Sequence, residues 1–361
     1  DAYKKDINNM VDFFNKNSAD YLFFDTIHIG GTNGKGSVSH MLSSVLQTSG
    51  LKVGLFTSPH LIDFKERIKI NGKSIDESFI IDFVAHYRQD FTSIKMSFFE
   101  MSVALAFKYF KKNNIDIAII EVGLGGRLDA TNVLLPKISI ITNISRDHTN
   151  LLGSSLDLIA KEKGGIIKEH IPVLVGEKSK ATLVLEDIAN NLNSELLYAK
   201  DHSYDCDLKG FYQFNNINTC VTAVSILNNS GFKISKTSIS KGLKNVVLNT
   251  GLLGRWQIIV KKPLVICDIA HNLAAIKIVF KQLAMYPQKK KIILGFSKDK
   301  DLELIISSLN KNYEYHICGS HNPRVINPDI LLKIFIKHNL SVKKHNFVFN
   351  AYDYLIQKNN V

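Results

Sequence analysis

The clearest pattern of hydrophobic and polar positions surrounds a glycine-rich segment near the start of the chain. After this segment, apolar residues recur three and four positions apart, which predicts one face of an amphipathic helix. These residues are Val38, Met41, Leu42, Val45 and Leu46. Residues 23–29, before the segment, form a mostly apolar run typical of a short strand. A glycine-rich turn between a strand and a helix start predicts backbone N–H groups that converge on an anion.

Further along, the pattern predicts two more buried strands and then a second α/β region. Residues 115–121 and 137–143 are near-continuous apolar runs, as expected of buried parallel strands. Residues 242–256 show little periodicity and suggest a linker, and residues 263–268 are expected to open a second α/β region. We predict that strands and helices alternate through the rest of the chain in a small, mostly parallel sheet. The predicted elements are helices at 273–286, 301–311 and 328–338, and strands at 290–296 and 313–318.

Composition places the chain among ordinary globular proteins. It has 361 residues, of which 45% are hydrophobic and 22% charged, and this length favours two domains. The net charge of +12 favours anionic partners. The lysines are scattered without a long basic run, so we expect small anionic ligands and no nucleic acid. The sequence starts at Asp1 without a Met, so we expect the natural protein to extend further.

The cysteines and the apolar runs indicate the cellular compartment in which the protein is expected. The cysteines lack C-x-x-C pairing and metal-ligand spacing, which is typical of free thiols in a reducing cytoplasm. They are Cys206, Cys220, Cys267 and Cys318. No apolar run reaches the roughly 18–20 residues of a membrane span, so no membrane partner is expected.

The glycine-rich segment has most features of a nucleotide phosphate loop. It departs twice from G-x-x-x-x-G-K-[ST], because Ile29 stands at the first Gly and Gly36 is inserted after Lys35. Lys35 adds a positive charge, and the Ser37 hydroxyl could reach a magnesium ion. The alternative is a tight turn without a ligand. The predicted phosphate-binding residues are Thr32, Asn33, Gly34, Lys35, Gly36 and Ser37.

The departure from the strict pattern carries a resemblance. G-T-N-G-K-G-S resembles the phosphate loop of folylpolyglutamate synthases and dihydrofolate synthases, within the wider Mur ligase family, whose other members usually lack the extra Gly. E-V-G-L-G-G-R-L-D-A-T-N at 121–132 and D-x-A-H-N at 268–272 are similar to that family too. The resemblance implies an α/β protein with a P-loop NTPase-like parallel-sheet domain at 1–249. A smaller Rossmann-like glutamate ligase domain is expected at 250–361.

Several residues are candidates for a metal site. Glu121 follows a predicted buried strand, and a carboxylate at such a strand end is a credible magnesium ligand. The resemblance implies that Ser58 in T-S-P-H-L and His148 in D-H-x-x-x-L-G share the binding of two magnesium ions. It also implies that Lys163 is carbamylated, although Gly165 replaces the usual Ala of that motif.

Other motifs implicate substrate and nucleotide contacts. Ser97 and Glu100 fit a helix capping box, and the segment 97–100 also resembles a pterin-contacting T-x-F-E motif. The residues implied to contact the folate or pteroate are Ser97, Phe98, Phe99, Glu100, Leu128, Asp129 and Ala130. The residues implied to contact ATP in addition to the loop are Asn216, Arg255 and Asp268. Lys35, Lys163 and His271 are the expected catalytic residues. The segment near 201–207 is shorter than in the family, and residues are expected to be missing there.

The implied reaction is ATP-dependent addition of L-glutamate to reduced folates and to dihydropteroate, through an acyl phosphate, by a monomer. A peptidoglycan Mur-type amino-acid ligase is one alternative, which Gly36 and the segment 97–100 disfavour. A nucleotide-hydrolysing switch or binding protein is another. The guanine-reading N-K-x-D signal is absent from the sequence, and the second α/β domain has no part in such a switch.

Overall fold

The computed structural model describes residues 6–20 and 23–359, with the side chains of 358 and 359 left out. The chain divides into two compact units. The first contains the described residues up to 145 together with 149–253, and the second contains 146–148 together with the residues from 254 onward. The predicted boundary lay after residue 249. The segment Arg146–His148 therefore belongs to a unit different from that of its immediate neighbours in sequence.

The first unit is built on a mostly parallel sheet, eight-stranded in the described part of the chain, with the order β4-β3-β2-β5-β1-β6-β7-β8. Its strands are β1 (Asp25–Gly30), β2 (Val53–Phe56), β3 (Ile68–Ile70), β4 (Lys73–Ser74), β5 (Ile117–Glu121), β6 (Ile138–Ile141), β7 (Val173–Val175) and β8 (Leu196–Tyr198). Among these described strands, the antiparallel pairings are those of β3 with β2 and of β3 with β4, at one edge of the sheet. The Asn71-Gly72 pair within residues 64–73 predicts a short hairpin, because Asn-Gly is a preferred hairpin turn sequence. The turn between β3 and β4 confirms it, with Asn71 at φ +45° and Gly72 at φ +75°, both left-handed conformations.

Helices cover both faces of this sheet. They are α1 (Asn8–Asn17), α2 (Lys35–Thr48), α3 (Glu77–Ile94), α4 (Phe98–Lys112), α5 (Thr149–Leu152), α6 (Leu156–Gly164), α7 (Thr182–Asn191), α8 (Gln213–Asn229), α9 (Lys236–Lys244) and α10 (Val246–Thr250). The predicted apolar stripe of α2 is fully buried among strands β1, β2, β5 and β6 and helices α8 and α9. Burial of each such side chain stabilises the fold by about 1.5–3 kcal/mol, which fixes the helix that follows the phosphate loop.

An aromatic core holds α1, α3 and α4 on the opposite face. Phe14 stacks on Phe107 with ring centroids 5.8 Å apart, and Phe13 stacks on Phe91 at the same separation. Because α4 is anchored by these rings, its first turn, which carries the segment 97–100, has a fixed position beside the sheet.

The second unit contains a parallel sheet of the order β11-β12-β13, together with a separate antiparallel pair. Its elements are β9 (Gln257–Val260), β10 (Val265–Cys267), α11 (Leu273–Leu283), β11 (Lys291–Leu294), α12 (Leu302–Ser307), β12 (Glu314–Cys318), α13 (Pro328–Lys337), β13 (Val342–His345) and α14 (Val348–Asn359). The predicted alternation after residue 273 is confirmed. Tyr315 of β12 and Phe335 of α13 pack edge to face in its core.

Two expectations about the region between the units were wrong. The expected linker at 242–256 is helical as far as Thr250, because Leu243 and Val246 are fully buried in the first unit's core. The strand expected to open the second parallel sheet, β10, pairs antiparallel with β9. Since a tight connection joins these two strands, the nearest partner in sequence is also the nearest in space. Within residues 6–20 and 23–359, no helix is long and apolar enough to cross a membrane.

Candidate nucleotide and acceptor site

The glycine-rich loop follows β1, the strand at which the strand order in the sheet of the first unit reverses. Strand β1 pairs with β5 on one side and β6 on the other, so three carboxyl ends meet there. Ligands of open α/β sheets bind at such switch points. The loop is held to the segment after β6: the Thr32 and Asn33 N–H groups donate to the backbone carbonyl and side-chain oxygen of Asn143, each at 3.0 Å. The Thr142 hydroxyl donates to the Asn33 carbonyl at 2.6 Å.

Two glycines of the loop occupy positions that a side chain could not. Gly34 has φ +86° at the N-cap of α2, and a Cβ there would lie 2.4 Å from Asn216 Oδ1. Gly31 has φ +131°, and its Cβ would lie 1.9 Å from Thr142 Oγ1. The loop therefore packs directly against Asn216, one of the predicted ATP contacts.

Asn216 and Ser37 are linked by Gln213, a residue that the sequence did not single out. Gln213 Nε2 donates to Ser37 Oγ at 3.2 Å, and Asn216 Nδ2 donates to Gln213 Oε1 at 2.8 Å. All three side chains are buried. Gln213 opens helix α8, and its position three residues before the predicted ATP contact Asn216 is the signal that the sequence offers for it. It orients the Ser37 hydroxyl and the Asn216 amide together.

Two lysines converge on the same loop carbonyl. Lys35 Nζ donates to the carbonyls of Gly31 and Thr32 at 3.0 and 3.1 Å. Lys163 Nζ donates to the Gly31 carbonyl at 2.9 Å, and only 4% of the Lys163 residue is exposed. The solvated surface lysine that would be the ordinary alternative for Lys163 is thus excluded. Helix α6 places it at the phosphate loop.

Glu121 and Ser58 meet at the neighbouring strand end. Glu121 closes β5 and is 95% buried, and its Oε2 accepts a hydrogen bond from the Ser58 N–H at 3.3 Å. No group of three His, Cys, Asp or Glu side chains within 6–20 and 23–359 could alone hold a metal. A carboxylate and a serine beside a phosphate loop fit magnesium, which usually takes only one or two carboxylates together with substrate phosphates and water.

The segment 97–100 forms the predicted capping box at the start of α4. The Ser97 N–H donates to Glu100 Oε2 at 2.6 Å, and the Glu100 N–H donates to Ser97 Oγ at 3.3 Å. The two phenylalanines point in different directions. Phe98 is 58% exposed, whereas Phe99 packs on Phe56 and fills the space that a Cβ at Gly123 would need. Phe98 is thus the aromatic side chain of this segment that a ligand can reach.

Asp129 shapes the segment after β5. Its Oδ2 accepts from the Leu124 N–H at 2.9 Å, and its Oδ1 accepts from the N–H and hydroxyl of Thr131 at 3.0 and 2.5 Å. Burial raises the pKa of Asp129, and the Thr131 and backbone hydrogen bonds oppose this shift. Leu128 beside it is half-buried and Ala130 is buried.

A histidine under the loop completes this network. His28 Nε2 lies 2.8 Å from Thr131 Oγ1, and burial lowers the pKa of His28 to about 3. Because the Thr131 hydroxyl donates to Asp129, it must accept from the Nε2–H of a neutral ring. His28 Nδ1 is then unprotonated and, among the described residues, has no hydrogen-bond partner.

In the second unit, the predicted nucleotide residues lie just before β9 and just after β10. Asp268 Oδ2 accepts from the Trp256 N–H at 2.8 Å, and Oδ1 accepts from the Ala270 N–H at 2.9 Å. Arg255 precedes Trp256 and donates to the Gly254 carbonyl at 3.4 Å. His271 is half-exposed, with Nδ1 2.9 Å from the Ile269 carbonyl. These contacts order the segment that carries Arg255 and His271.

Asp147 is the centre of a cluster that the sequence did not predict. Lys300 Nζ lies 2.8 Å from Oδ1, and Asn272 Nδ2 donates to Oδ2 at 3.1 Å. His271 Nε2 lies 3.4 Å from Oδ2. Burial alone would raise the pKa of Asp147, but the hydrogen bond from His271 and the hydrogen bond and charge of Lys300 hold it well below its usual range. Asp147 is therefore an anion at neutral pH.

His148, the predicted metal ligand, lies beside this cluster. Its Nδ1 is 3.3 Å from Asp299 Oδ2, and its Nε2 is 3.4 Å from Lys300 Nζ. Burial lowers the pKa of His148, with the Lys300 charge acting in the same direction against the carboxylates. A neutral imidazole is the form that binds metal ions. The structure thus holds His148 with the second unit and the other proposed ligands, Ser58 and Glu121, with the first.

A phosphate loop with a carboxylate at the adjacent strand end and a second α/β unit define an ATP-dependent ligase of the Mur type. The family model of the Mur ligase middle domain matches residues 29–258. The family model described as "Mur ligase, glutamate ligase domain" matches residues 254–359.

Individual relatives are more specific. A dihydrofolate synthase/folylpolyglutamate synthase of Buchnera aphidicola subsp. Acyrthosiphon pisum is 34% identical over 337 residues, which cover 88% of this chain and 80% of that protein. The crystal structure of Thermotoga maritima folylpolyglutamate synthase superposes with a TM-score of 0.82 at 31% identity, covering 97% of this chain and 88% of that one. The bifunctional Yersinia pestis enzyme complexed with AMPPNP and a Mn ion gives 0.85 at 27% identity, covering 98% and 88%. The chain belongs to the dihydrofolate synthase/folylpolyglutamate synthase family.

Proposed function

We propose that this protein adds L-glutamate to reduced folates and to dihydropteroate, using ATP and a divalent metal. This proposal depends mainly on one observation. The phosphate loop, Lys35, Lys163 and the Glu121–Ser58 pair lie together at the carboxyl ends of neighbouring parallel strands. Family membership over most of the chain supports the substrate class. The acceptor carboxylate attacks the γ-phosphoryl group and releases ADP. The glutamate amine then displaces phosphate from the resulting acyl phosphate, and the amine loses a proton as the amide forms.

The chain's own groups serve mainly to position and neutralise charge. Lys35 and the N–H groups at the start of α2 bind the phosphates, and the charge that develops during phosphoryl transfer is stabilised there. Gln213 donates a hydrogen bond to the Ser37 hydroxyl and so restricts its orientation. We assign Asn216, Arg255 and Asp268 to nucleotide binding and His271 to the phosphates. Phe98 and Leu128 are assigned to the acceptor. A magnesium ion, when bound, supplies Lewis-acid stabilisation of the phosphoryl oxygens.

The metal assignment includes two ions and a modified lysine. We propose Ser58, Glu121 and His148 as ligands and a carbamylated Lys163 that places a negative charge beside the loop. Burial of Lys163 at 2.9 Å from the Gly31 carbonyl supports this role, because a modified side chain there would lie within reach of a phosphate-bound cation. Intact mass measured in bicarbonate buffer should show the mass of one added CO₂, and Lys163→Arg should lack it. An unmodified wild-type mass under these conditions would contradict the assignment.

The test of function is ATP-dependent phosphate release with Mg²⁺ and L-glutamate. Tetrahydrofolate, dihydropteroate and a UDP-muramoyl peptide are compared as acceptors, and Lys163→Ala is the control. Release with the first two acceptors supports the bifunctional ligase, and release with tetrahydrofolate alone restricts it to polyglutamylation. Release only with the UDP-sugar acceptor would place the chain in the peptidoglycan branch. ATP hydrolysis that is indifferent to every acceptor and to Lys163→Ala would contradict a ligase.

The setting proposed for this activity is a cytoplasmic monomer. Cys206, Cys220 and Cys318 are buried free thiols, and burial raises the pKa of each. Thiols kept protonated in this way suit a reducing compartment. Sedimentation of the purified protein at several concentrations tests the monomer assignment, which a concentration-dependent increase in mass would contradict.

A further inference from the structure

A cation lies against the exposed ring of the proposed acceptor segment. The guanidinium carbon of Arg67 is 5.5 Å from the centroid of the Phe98 ring, and the Phe64 ring is 5.5 Å from the same ring. Arg67 Nε donates to His60 Nδ1 at 2.9 Å. Because the Arg67 Nε–H is the donor, His60 Nδ1 is the accepting nitrogen of the imidazole ring. Arg67, Phe64, Phe98 and His60 together form an aromatic and cationic surface, here called the Arg67 platform.

The loop that carries His60 is held in one conformation by a single carboxylate. Glu66 accepts hydrogen bonds from the N–H groups of Leu61, Ile62 and Asp63 at 2.9, 2.8 and 2.8 Å. These backbone bonds lower the pKa of Glu66 despite its partial burial, so Glu66 stays ionised. Ile62 is nevertheless 81% exposed. An ordered loop that exposes an apolar side chain between His60 and Phe64 in sequence is suited to contact a flat organic ligand.

The Arg67 platform borders the proposed metal site through the backbone. The Thr57 N–H donates to the Arg67 carbonyl at 2.9 Å, and Phe56 of β2 pairs with Ile68 of β3. Ser58, whose N–H reaches Glu121, follows Thr57 directly. Arg67 is therefore tied to the segment of the proposed metal ligand and, through Phe98, to the proposed acceptor segment. A planar guanidinium fork in such a place matches the geometry of a carboxylate.

We propose that Arg67 binds the non-reacting α-carboxylate of a folate acceptor whose aromatic ring packs on Phe98 and Phe64. This inference rests on the proposed function. A folate acceptor ends in a glutamate with two carboxylates, of which one reacts and the other stays anionic. Dihydropteroate has one carboxylate, and that one reacts. Arg67 therefore favours acceptors that already carry a glutamyl residue, while the aromatic part of the platform serves both acceptors.

The decisive comparison uses tetrahydrofolate and its α-carboxamide, which lacks only the non-reacting charge. Wild-type protein should use the amide with a kcat/KM about 10- to 100-fold lower, the factor expected for a lost charge-assisted hydrogen bond. Arg67→Gln should lose a similar factor on tetrahydrofolate, mainly through KM, and should no longer distinguish the two compounds. Its kcat/KM with dihydropteroate should stay within about twofold of the wild type. Arg67→Lys should retain part of the discrimination, because it keeps the charge without the fork.

Lys65→Gln is the matched control, since it removes a positive charge from the same turn, where Lys65 faces Asp63 and Glu77. It should leave all three acceptors unchanged. Thermal unfolding of each variant shows whether the loop has stayed folded. Equal losses by Arg67→Gln on every acceptor, or unchanged discrimination against the amide, would overturn the Arg67 assignment. A wild-type protein inactive with both natural acceptors would instead overturn the proposed function.

Discussion

Asp147 and Lys300, 153 residues apart in sequence, form an ion pair of 2.8 Å in which both side chains are more than nine-tenths buried. Asn272 and His271 contact the other oxygen of the same carboxylate. Desolvation makes such pairs costly to break from one side, because the remaining charge stays buried with weaker compensation. Without Asp147, the carboxylate nearest to Lys300 Nζ would be that of Asp299, whose Oδ2 is 3.4 Å away and whose side chain is half-exposed. The pair therefore secures the segment of His148 to the second unit.

Replacement of Asp147 by Asn should destabilise the protein by up to about 3–5 kcal/mol, the usual cost of removing one partner of a buried ion pair. Chemical denaturation followed by circular dichroism measures this loss. The double variant Asp147→Asn with Lys300→Met should recover much of it. Glu303→Gln, at the exposed Lys337 pair, is the control and should change stability little. An Asp147→Asn protein as stable as the wild type would contradict the role given to this pair.

Gly34→Ala should weaken ATP binding. A Cβ at this position, where φ is +86°, would lie 2.4 Å from Asn216 Oδ1 and would displace either the phosphate loop or the Asn216 side-chain amide. We expect the KM for ATP to rise at least about tenfold, equivalent to about 1.4 kcal/mol of binding. Gly50→Ala is the matched control: Gly50 has φ +97° with nothing within 4 Å of its Cβ position. That variant should lose about 1–2 kcal/mol of stability and keep the wild-type KM for ATP. A KM raised equally in both variants would count against the proposed loop–Asn216 contact.

His28 should make the protein sensitive to mild acid. Its pKa falls from 6.5 to about 3 through burial, so the folded state binds fewer protons than the unfolded state between these values. The stability it contributes is complete above pH 6.5 and is lost as the pH falls toward 3, by up to about 1.4 kcal/mol per pH unit. His28→Gln, whose amide can still donate to Thr131, should flatten the dependence of unfolding free energy on pH between about 6 and 4. Parallel wild-type and variant curves would show that His28 does not titrate as described.

Two substitutions at Ser97 can distinguish its role as a helix cap from its proposed contact with the acceptor. Ser97→Ala removes the acceptor for the Glu100 N–H and should cost about 1 kcal/mol, whereas Ser97→Thr keeps the cap and should cost little. If the segment also contacts the acceptor, Ser97→Ala should raise the KM for dihydropteroate by more than Ser97→Thr does. The two variants are compared by thermal unfolding and by steady-state kinetics. Identical kinetics in wild type and both variants would leave Ser97 as a cap alone.

The sequence predicted those parts of the fold that depend on neighbours along the chain. The apolar stripe of α2, the Asn71-Gly72 turn and the Ser97 capping box each rest on residues a few positions apart, and all are present. Other features depend on partners far along the chain. Gln213 reaches Ser37 across 176 residues, and no local pattern distinguishes it from a polar residue at a helix start. The antiparallel pairing of β10 was missed because an apolar run does not specify its partner strand.

The placement of Arg146–His148 affects how the protein can be divided. The chain leaves the first unit before Arg146, returns after His148 and leaves again after Leu253, so three covalent connections join the units. A fragment beginning at Gly254 would lack Asp147, the carboxylate nearest to the buried ammonium of Lys300. A fragment ending at Leu253 would keep Asp147 without its cation. Recombination between relatives at a single crossover near 253 would therefore preserve this protein only if both parents supply a compatible Asp–Lys pair.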